Sequence, residues 1–328
     1  MTSHPVPETM RIAVLRGREA FEVEEAPVPP VRPDEVLVRV VASGVCASEL
    51  EPWVDGPAEG EPRYLGHEVS GVVVAAGAEV TDLVVGDRVG VWVTERGFAD
   101  YVAVRSAYCR RAGDVPLDEA LAEPLACAAN AVELADVRLG DDVVVIGAGF
   151  MGNLVQLLVG LRGVRNLVVA DARADALERA RGLGATRVVD VTRESLVDVV
   201  AEVTGGAGVD LTFECTGTQG ALVTAGETTR MSGKVAIVGY HQGAAREIPL
   251  AWWNWMAFTV VNGHFRDLAV ILRGMTIGTR LLASGRISLA GLVTHRFPLE
   301  RINEAFATLR DKPEGFTKAV IVFDEPTA

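Results

Sequence analysis

Asp142-Val-Val-Val-Ile146, running directly into Gly147-Ala-Gly-Phe-Met-Gly152, decides how this chain folds. Four β-branched residues in succession read as a strand buried on both faces, the kind that parallel sheets use. The glycines follow where such a strand must turn at once into a helix. Gly147 permits the tight turn, Gly149 lets backbone approach a pyrophosphate, and Gly152 lets helix and strand pack closely. Phe150 and Met151 open the helix, where free N–H groups face an anion. Asp171 ends the next strand-like run, nineteen residues beyond Gly152. At that spacing a carboxylate accepts hydrogen bonds from the adenosine ribose hydroxyls. Its charge opposes a 2′-phosphate, so NAD is expected over NADP. Arg173, two residues on, offsets part of that charge.

Further along, residues 167–170, 187–189, 209–213, 234–238 and 258–261 are short apolar runs. Helical stretches such as 174–183 separate them. Strand and helix in alternation make a doubly wound parallel sheet, the Rossmann arrangement of an α/β fold. The texture before residue 117 differs. Residues 35–41, 69–74, 87–93 and 98–104 are short β-branched runs split by glycines. That pattern predicts a compact β-barrel-like domain, followed by a helix over about 117–134. The segment after Gly263 reads as helical and ends in a strand at 319–323, returning to the first domain. The expected division is 1–122 with 265–328 for one domain, and 123–264 for the dinucleotide-binding one.

With 328 residues and 49% hydrophobic content, the chain has material for two real cores. A net charge of -13 disfavours nucleic acid and anionic membrane surfaces as partners. No charged-then-apolar leader opens the chain, and no apolar run reaches the roughly 18 residues of a membrane span. The expected compartment is the cytoplasm. The four cysteines (Cys46, Cys109, Cys127, Cys215) form no CxxC pair and give no disulfide framework.

Ahead of the fingerprint stand Cys46 and the pair His67-Glu68. Thiolate, imidazole and carboxylate are all zinc ligands. A metal that holds an alcohol oxygen and a cofactor that takes a hydride make one machine. Pocket candidates are Glu51, Trp53, Trp92, Tyr240, His241 and the run Trp252-Trp253-Asn254-Trp255. Aromatic walls with a carboxylate suit a polyhydroxylated ligand, because C–H faces stack while hydroxyls find acceptors.

Six motifs in this order resemble the zinc-containing medium-chain dehydrogenase/reductase family, most of all its polyol (sorbitol-type) and sugar dehydrogenases. They are Gly44-Val-Cys-Ala-Ser48, Gly66-His-Glu-Val-Ser-Gly71, Gly86-Asp-Arg-Val89, Glu123-Pro-Leu125, Gly147 to Gly152, and Phe213-Glu-Cys-Thr-Gly217. The resemblance runs from about Arg11 to Phe323. It implies a GroES-like β-barrel catalytic domain beside the Rossmann domain. It implies one catalytic zinc on Cys46 and His67, with Glu68 a direct ligand or one that exchanges with water. Glu123 is expected to bind the metal or its water. Ser48 would carry a proton away from the substrate, and Glu49 would orient His67. Cys215 and Thr216 would lie near the nicotinamide, and Lys318 would reach the pyrophosphate.

Two departures stand out. The family's four-cysteine lobe for a second zinc is missing, since Val93-Thr-Glu-Arg-Gly-Phe98 runs straight into the next strand. The usual Cys-Gly-Ser-Asp is here Cys46-Ala-Ser-Glu49. The implied activity is hydride transfer between NAD(H) and a secondary alcohol or ketone on a polyol, cyclitol or sugar. A dehydrogenase of a dedicated biosynthetic intermediate, or of an amino alcohol such as threonine, is the rival. A zinc-free quinone or enoyl reductase is opposed by the intact Cys46, His67 and Glu68. Relatives assemble as dimers or tetramers by extending the nucleotide-domain sheet, and residues 258–261 are the edge expected to do so here.

Overall fold

A computed structural model describes residues 6–58 and 61–323. The chain forms two compact units, residues 1–125 with 275–328 and residues 126–274.

In the first unit, β1 (Thr9–Gly17) and β2 (Ala20–Pro27) form an antiparallel pair. The chain continues through β3 (Glu35–Gly44), α1 (Leu50–Asp55), β4 (Glu68–Ala76), β5 (Arg88–Trp92), β6 (Tyr101–Arg105) and β7 (Cys109–Arg111). Helix α2 (Ala122–Ala135) then carries it into the second unit. The second unit contains β8 (Asp142–Ile146), α3 (Phe150–Gly160), β9 (Asn166–Asp171), α4 (Ala174–Gly182), β10 (Arg187–Asp190) and α5 (Leu196–Thr204). It closes with β11 (Val209–Glu214), α6 (Gln219–Thr228), β12 (Thr229–Ile237), α7 (Leu250–Trp255) and β13 (Thr259–Asn262). Helix α8 (Leu268–Ala283) returns to the first unit, which ends with β14 (His295–Pro298), α9 (Ile302–Asp311) and β15 (Ala319–Val322). Among the described residues no helix is long and apolar enough to cross a membrane.

The second unit is a six-stranded sheet in the order β10-β9-β8-β11-β12-β13, parallel at every pairing. Every residue of β8 is buried, which is what its unbroken β-branched run requires of a central strand. Val144, Val168, Val189, Leu222, Val235 and Trp253 belong to the core on one face. Strand order reverses between β8 and β11, and the carboxyl ends there form the usual ligand crevice of such sheets.

The first unit carries a seven-stranded sheet, β14-β15-β3-β4-β5-β7 with β6 on β3. Its register builds the corner where the candidate metal ligands meet. Gly44 at the end of β3 faces both Glu68 of β4 and Val320 of β15. Glu68 in turn faces Trp92 of β5. Cys46, Glu68 and Lys318 therefore arrive together from three strand ends.

Two elements differ from the sequence expectation. Helix α2 starts at Ala122, not near 117, because a helix from 117 would drive the Pro124 ring into the Ala120 carbonyl. In the first turn that proline is harmless. Strand β12 begins at Thr229, five residues before the apolar run. Ser232 adopts φ +58 and the pairing with β11 slips between Val209 and Leu211. The polar Arg230–Gly233 stretch is thus a kinked extension of the strand.

Candidate active site

The ligand atoms of Cys46, His67 and Glu68 all lie within 4.8 Å of one another. Glu68 is buried, and its carboxylate fills the space a side chain on Gly44 would need. Glycine at 44 is what admits that carboxylate. Oε1 of Glu68 accepts from Lys318 Nζ at 2.8 Å. Oε2 lies 2.6 Å from the same nitrogen, and a carboxylate oxygen has a further lone pair to offer a cation. The donor set suits zinc: one sulfur, one ring nitrogen and one oxygen, with room for a further ligand. The residues fit the metal.

Glu49 is buried and holds His67. Its Oε1 is 3.0 Å from His67 Nδ1 and accepts from the Gly66 N–H at 2.7 Å. Nδ1 thus carries the proton and Nε2 is left for a metal. The extra methylene of glutamate, relative to the family's aspartate, leaves this contact in place. Burial works against a charged His67, but the Glu49 carboxylate and then Cys46 outweigh it, and its pKa lies well above the ordinary 6.5. Burial likewise opposes the charge on Glu49, yet His67 and the Gly66 and Cys46 N–H groups hold its pKa down. The Ser48 hydroxyl donates to Cys46 Sγ at 3.2 Å.

Metal loading must displace the His67 proton, so affinity for zinc is expected to fall as pH is lowered toward and below the raised histidine value. A chelator-competition titration at several pH values checks the sign. Glu49→Gln is expected to weaken zinc about 10- to 100-fold in the same titration.

Lys318 is not where the sequence placed it. Far from reaching out to a pyrophosphate, it is buried, donating to Glu68 and to the Val45 carbonyl at 3.0 Å. Desolvation opposes its charge, but Glu68 and then Cys46 raise its pKa above the ordinary value. The Glu123 carboxylate, in the first turn of α2, adds to that effect. Register alone places it there, because β15 pairs with β3 immediately beside Gly44.

Trp53 is also corrected. It is a core residue at 1% exposure, packed against Phe306 with centroids 5.5 Å apart. Glu51 is exposed on α1 and points its charge at solvent. Trp92, directly across the ladder from Glu68, makes an edge-to-face contact with Tyr108, centroids 5.2 Å apart. Tyr108 carries no motif, and only the fold brings it there.

In the second unit Gly147 has φ +102, and a Cβ on Gly152 would overlap the Gly147 carbonyl oxygen. Around Gly149 the nearest heavy atom to an added Cβ is Arg173 Nη2 at 4.0 Å, which leaves the space a pyrophosphate needs. Phe150 and Met151 begin α3, whose cap is Gly149. Asp171 accepts from the Ala148 N–H at 2.8 Å and from Arg173 Nε at 3.1 Å. Burial opposes its charge, yet Arg173 holds its pKa below the ordinary range. The residues fit a dinucleotide. Cys215 and Thr216 follow β11, and burial, then Glu214, push the Cys215 thiol well up. Tyr240 is 47% exposed, edge-on to His264. His241 binds Glu214.

Residues 32–136 match the alcohol dehydrogenase GroES-like domain and residues 151–269 match the zinc-binding dehydrogenase family. The sorbitol dehydrogenase of Gallus gallus is 31% identical over 346 residues, covering 92% of this chain and 94% of that protein. The chain belongs to the zinc-type medium-chain dehydrogenases. The L-threonine 3-dehydrogenase of Ruegeria pomeroyi is 29% identical over 341 residues, covering 92% and 96%. The crystal structure of 2R,3R-butanediol dehydrogenase from Bacillus subtilis shares the dehydrogenase's architecture, with a TM-score of 0.84 at 27% identity over 96% of this chain and 100% of that one. This dehydrogenase is an oxidoreductase, and its cofactors are those of the family, zinc and a nicotinamide dinucleotide.

Proposed function

We propose that this dehydrogenase oxidises a secondary alcohol on a polyol, cyclitol or sugar with NAD, using one zinc held by Cys46, His67 and Glu68. The observation that carries this reading is the ligand trio, Glu68 buried with Cys46 and His67 half-buried, its donor atoms within 4.8 Å and His67 fixed by Glu49. When bound, zinc supplies a Lewis acid that lowers the pKa of an alcohol, and the nicotinamide accepts the hydride. The chain's own residues do the rest. Glu49 keeps His67 in one tautomer. Lys318 offsets the buried charge of Glu68, so the corner can hold a thiolate and a carboxylate together. Glu123 stands near enough to Lys318 to feel its charge and serves the metal or its water. Ser48 takes the proton from the substrate hydroxyl and passes it toward solvent. The Trp92–Tyr108 corner beside Glu68 offers aromatic faces to a sugar-like C–H surface.

Ser48→Ala is expected to lower kcat about 10²-fold with zinc still bound. Unchanged kcat across the pH range would remove Ser48 from the proton path.

Substrate class is tested by NADH formation with purified, zinc-loaded protein on alditols, cyclitols, aldoses, simple secondary alcohols and threonine. The expected result is turnover on one polyhydroxylated class, with a higher kcat/KM for NAD than for NADP. Preference for threonine would support the amino-alcohol reading, which the similarity to an L-threonine 3-dehydrogenase keeps in view.

The same reading makes the enzyme a homo-oligomer. Strand β13 is one edge of the six-stranded sheet among the described residues. Val260 upon it is 49% exposed, with Trp252, Trp255 and Leu250 also exposed nearby in sequence. An uncovered apolar edge is a template for pairing with another strand. Light scattering should give a dimer or tetramer, and Val260→Lys should shift it toward monomer. A monomer in the unaltered protein would contradict the assignment.

A further inference from the structure

Strands β8, β11 and β12 end side by side at Ile146, Glu214 and Ile237. Glu214 is completely buried there, and a buried carboxylate persists only if its oxygens are satisfied. Its Oε1 accepts from the Thr216 and Gly217 N–H groups at 2.7 and 3.0 Å, and from the Thr216 hydroxyl at 2.5 Å. Its Oε2 lies 2.9 Å from His241 Nε2. On the other side of the ring, Arg246 Nε lies 3.2 Å from His241 Nδ1.

Arginine only donates. Nδ1 must therefore accept, and Nε2 must carry the proton that Glu214 receives. His241 is held between a carboxylate and a guanidinium, with both ring nitrogens engaged.

Arg246 does more than hold the ring. Its Nη1 donates to the Ala244 carbonyl at 2.8 Å. Its Nη2 donates to the carbonyls of Gln242 at 2.9 Å and Gly217 at 3.1 Å. One side chain thus ties the 239–248 segment to itself and to the turn after β11. The two backbones touch closely: a Cβ on Gly217, at φ +74, would press on the Tyr240 carbonyl.

The fingerprint and Asp171 mark the adenosine half of the dinucleotide on the β8–β9 side. The other half falls across the strand-order reversal, over β11 and β12. We propose that His241 and Arg246 are positioning residues that hold the 239–248 segment against the Thr216–Gly217 turn in the form that receives the nicotinamide half of the cofactor. This rests on the dinucleotide reading of the second unit. It also replaces the expectation that His241 touches substrate, since both ring nitrogens are already engaged.

The test is equilibrium binding of NAD and of ADP-ribose, which lacks the nicotinamide, to the full-length protein. Arg246→Ala and His241→Phe are expected to weaken NAD about tenfold or more while ADP-ribose changes less than about twofold. His241→Gln, which keeps one donor and one acceptor at the end of the side chain, is expected to retain most NAD affinity. Parallel loss of both ligands would show a general structural role and overturn the proposal, as would unchanged NAD binding. Unaltered protein that binds neither ligand would overturn the dinucleotide reading and this inference with it.

Discussion

Cys46→Ala is expected to leave the protein folded, zinc-free and inactive, with kcat/KM lower by about 10³-fold or more. A Lewis-acid metal contributes several kcal/mol of transition-state stabilisation, and each 1.4 kcal/mol is about a factor of ten. Cys46 is half-buried and lies just past the end of β3. The apolar core of that unit is built elsewhere, from residues such as Val38, Val69, Val91 and Phe306. Truncating the thiol removes the softest donor of the trio and leaves His67 and Glu68, too few to hold zinc against dilution. Metal analysis, kcat/KM and a thermal melt together check this. Full zinc occupancy in the variant would show that the metal sits elsewhere.

Gly152→Ala is expected to be the most damaging single methyl in the second unit. The added Cβ would overlap the Gly147 carbonyl oxygen. That is backbone, with no flexible side chain to swing aside. The Gly147 turn is itself pinned, its N–H donating to the Ala170 carbonyl at 2.7 Å. Either α3 retreats from β8 or the turn opens, and both spoil the pyrophosphate cradle. We expect a loss of stability of about 1–3 kcal/mol and NAD binding weakened by about 100-fold. Gly160→Ala is the control. It lies in the same helix with nothing within 4 Å of its Cβ, and its melting temperature should be unchanged or slightly higher. If Gly152→Ala binds NAD as well as Gly160→Ala, the turn is not the phosphate site.

Much of this architecture was legible in the residues because local and global demands agree. The unbroken β-branched run of β8 and the glycines after it admit few other readings. Cys46, His67 and Glu68 are also legible, since such ligand types announce their chemistry. What escaped reading depends on register and on competition between side chains. Lys318 and Glu68 are 250 positions apart in sequence. Only the pairing of β15 with β3 and of β3 with β4 makes one the counter-ion of the other. Trp53 could have lined a pocket as well as a core, and composition does not separate the two. The start of α2 turned on Pro124, whose steric conflict with Ala120 outweighs the helical periodicity of the residues before it. Of the latch of Glu214, His241 and Arg246, the sequence showed Glu214 inside Phe213-Glu-Cys-Thr-Gly217 and His241 as a pocket candidate, but not their contact. Arg246 sits in a segment without periodicity.

Under the proposed function, turnover depends on one zinc ion at Cys46, His67 and Glu68. The measurement that tests it most directly is activity of metal-free protein titrated with zinc, followed as NADH formation on the best substrate of the polyol panel. Activity should be absent at the start, rise linearly, and break sharply at one zinc per chain. Undiminished activity in the metal-free protein, or a break at two, would contradict it.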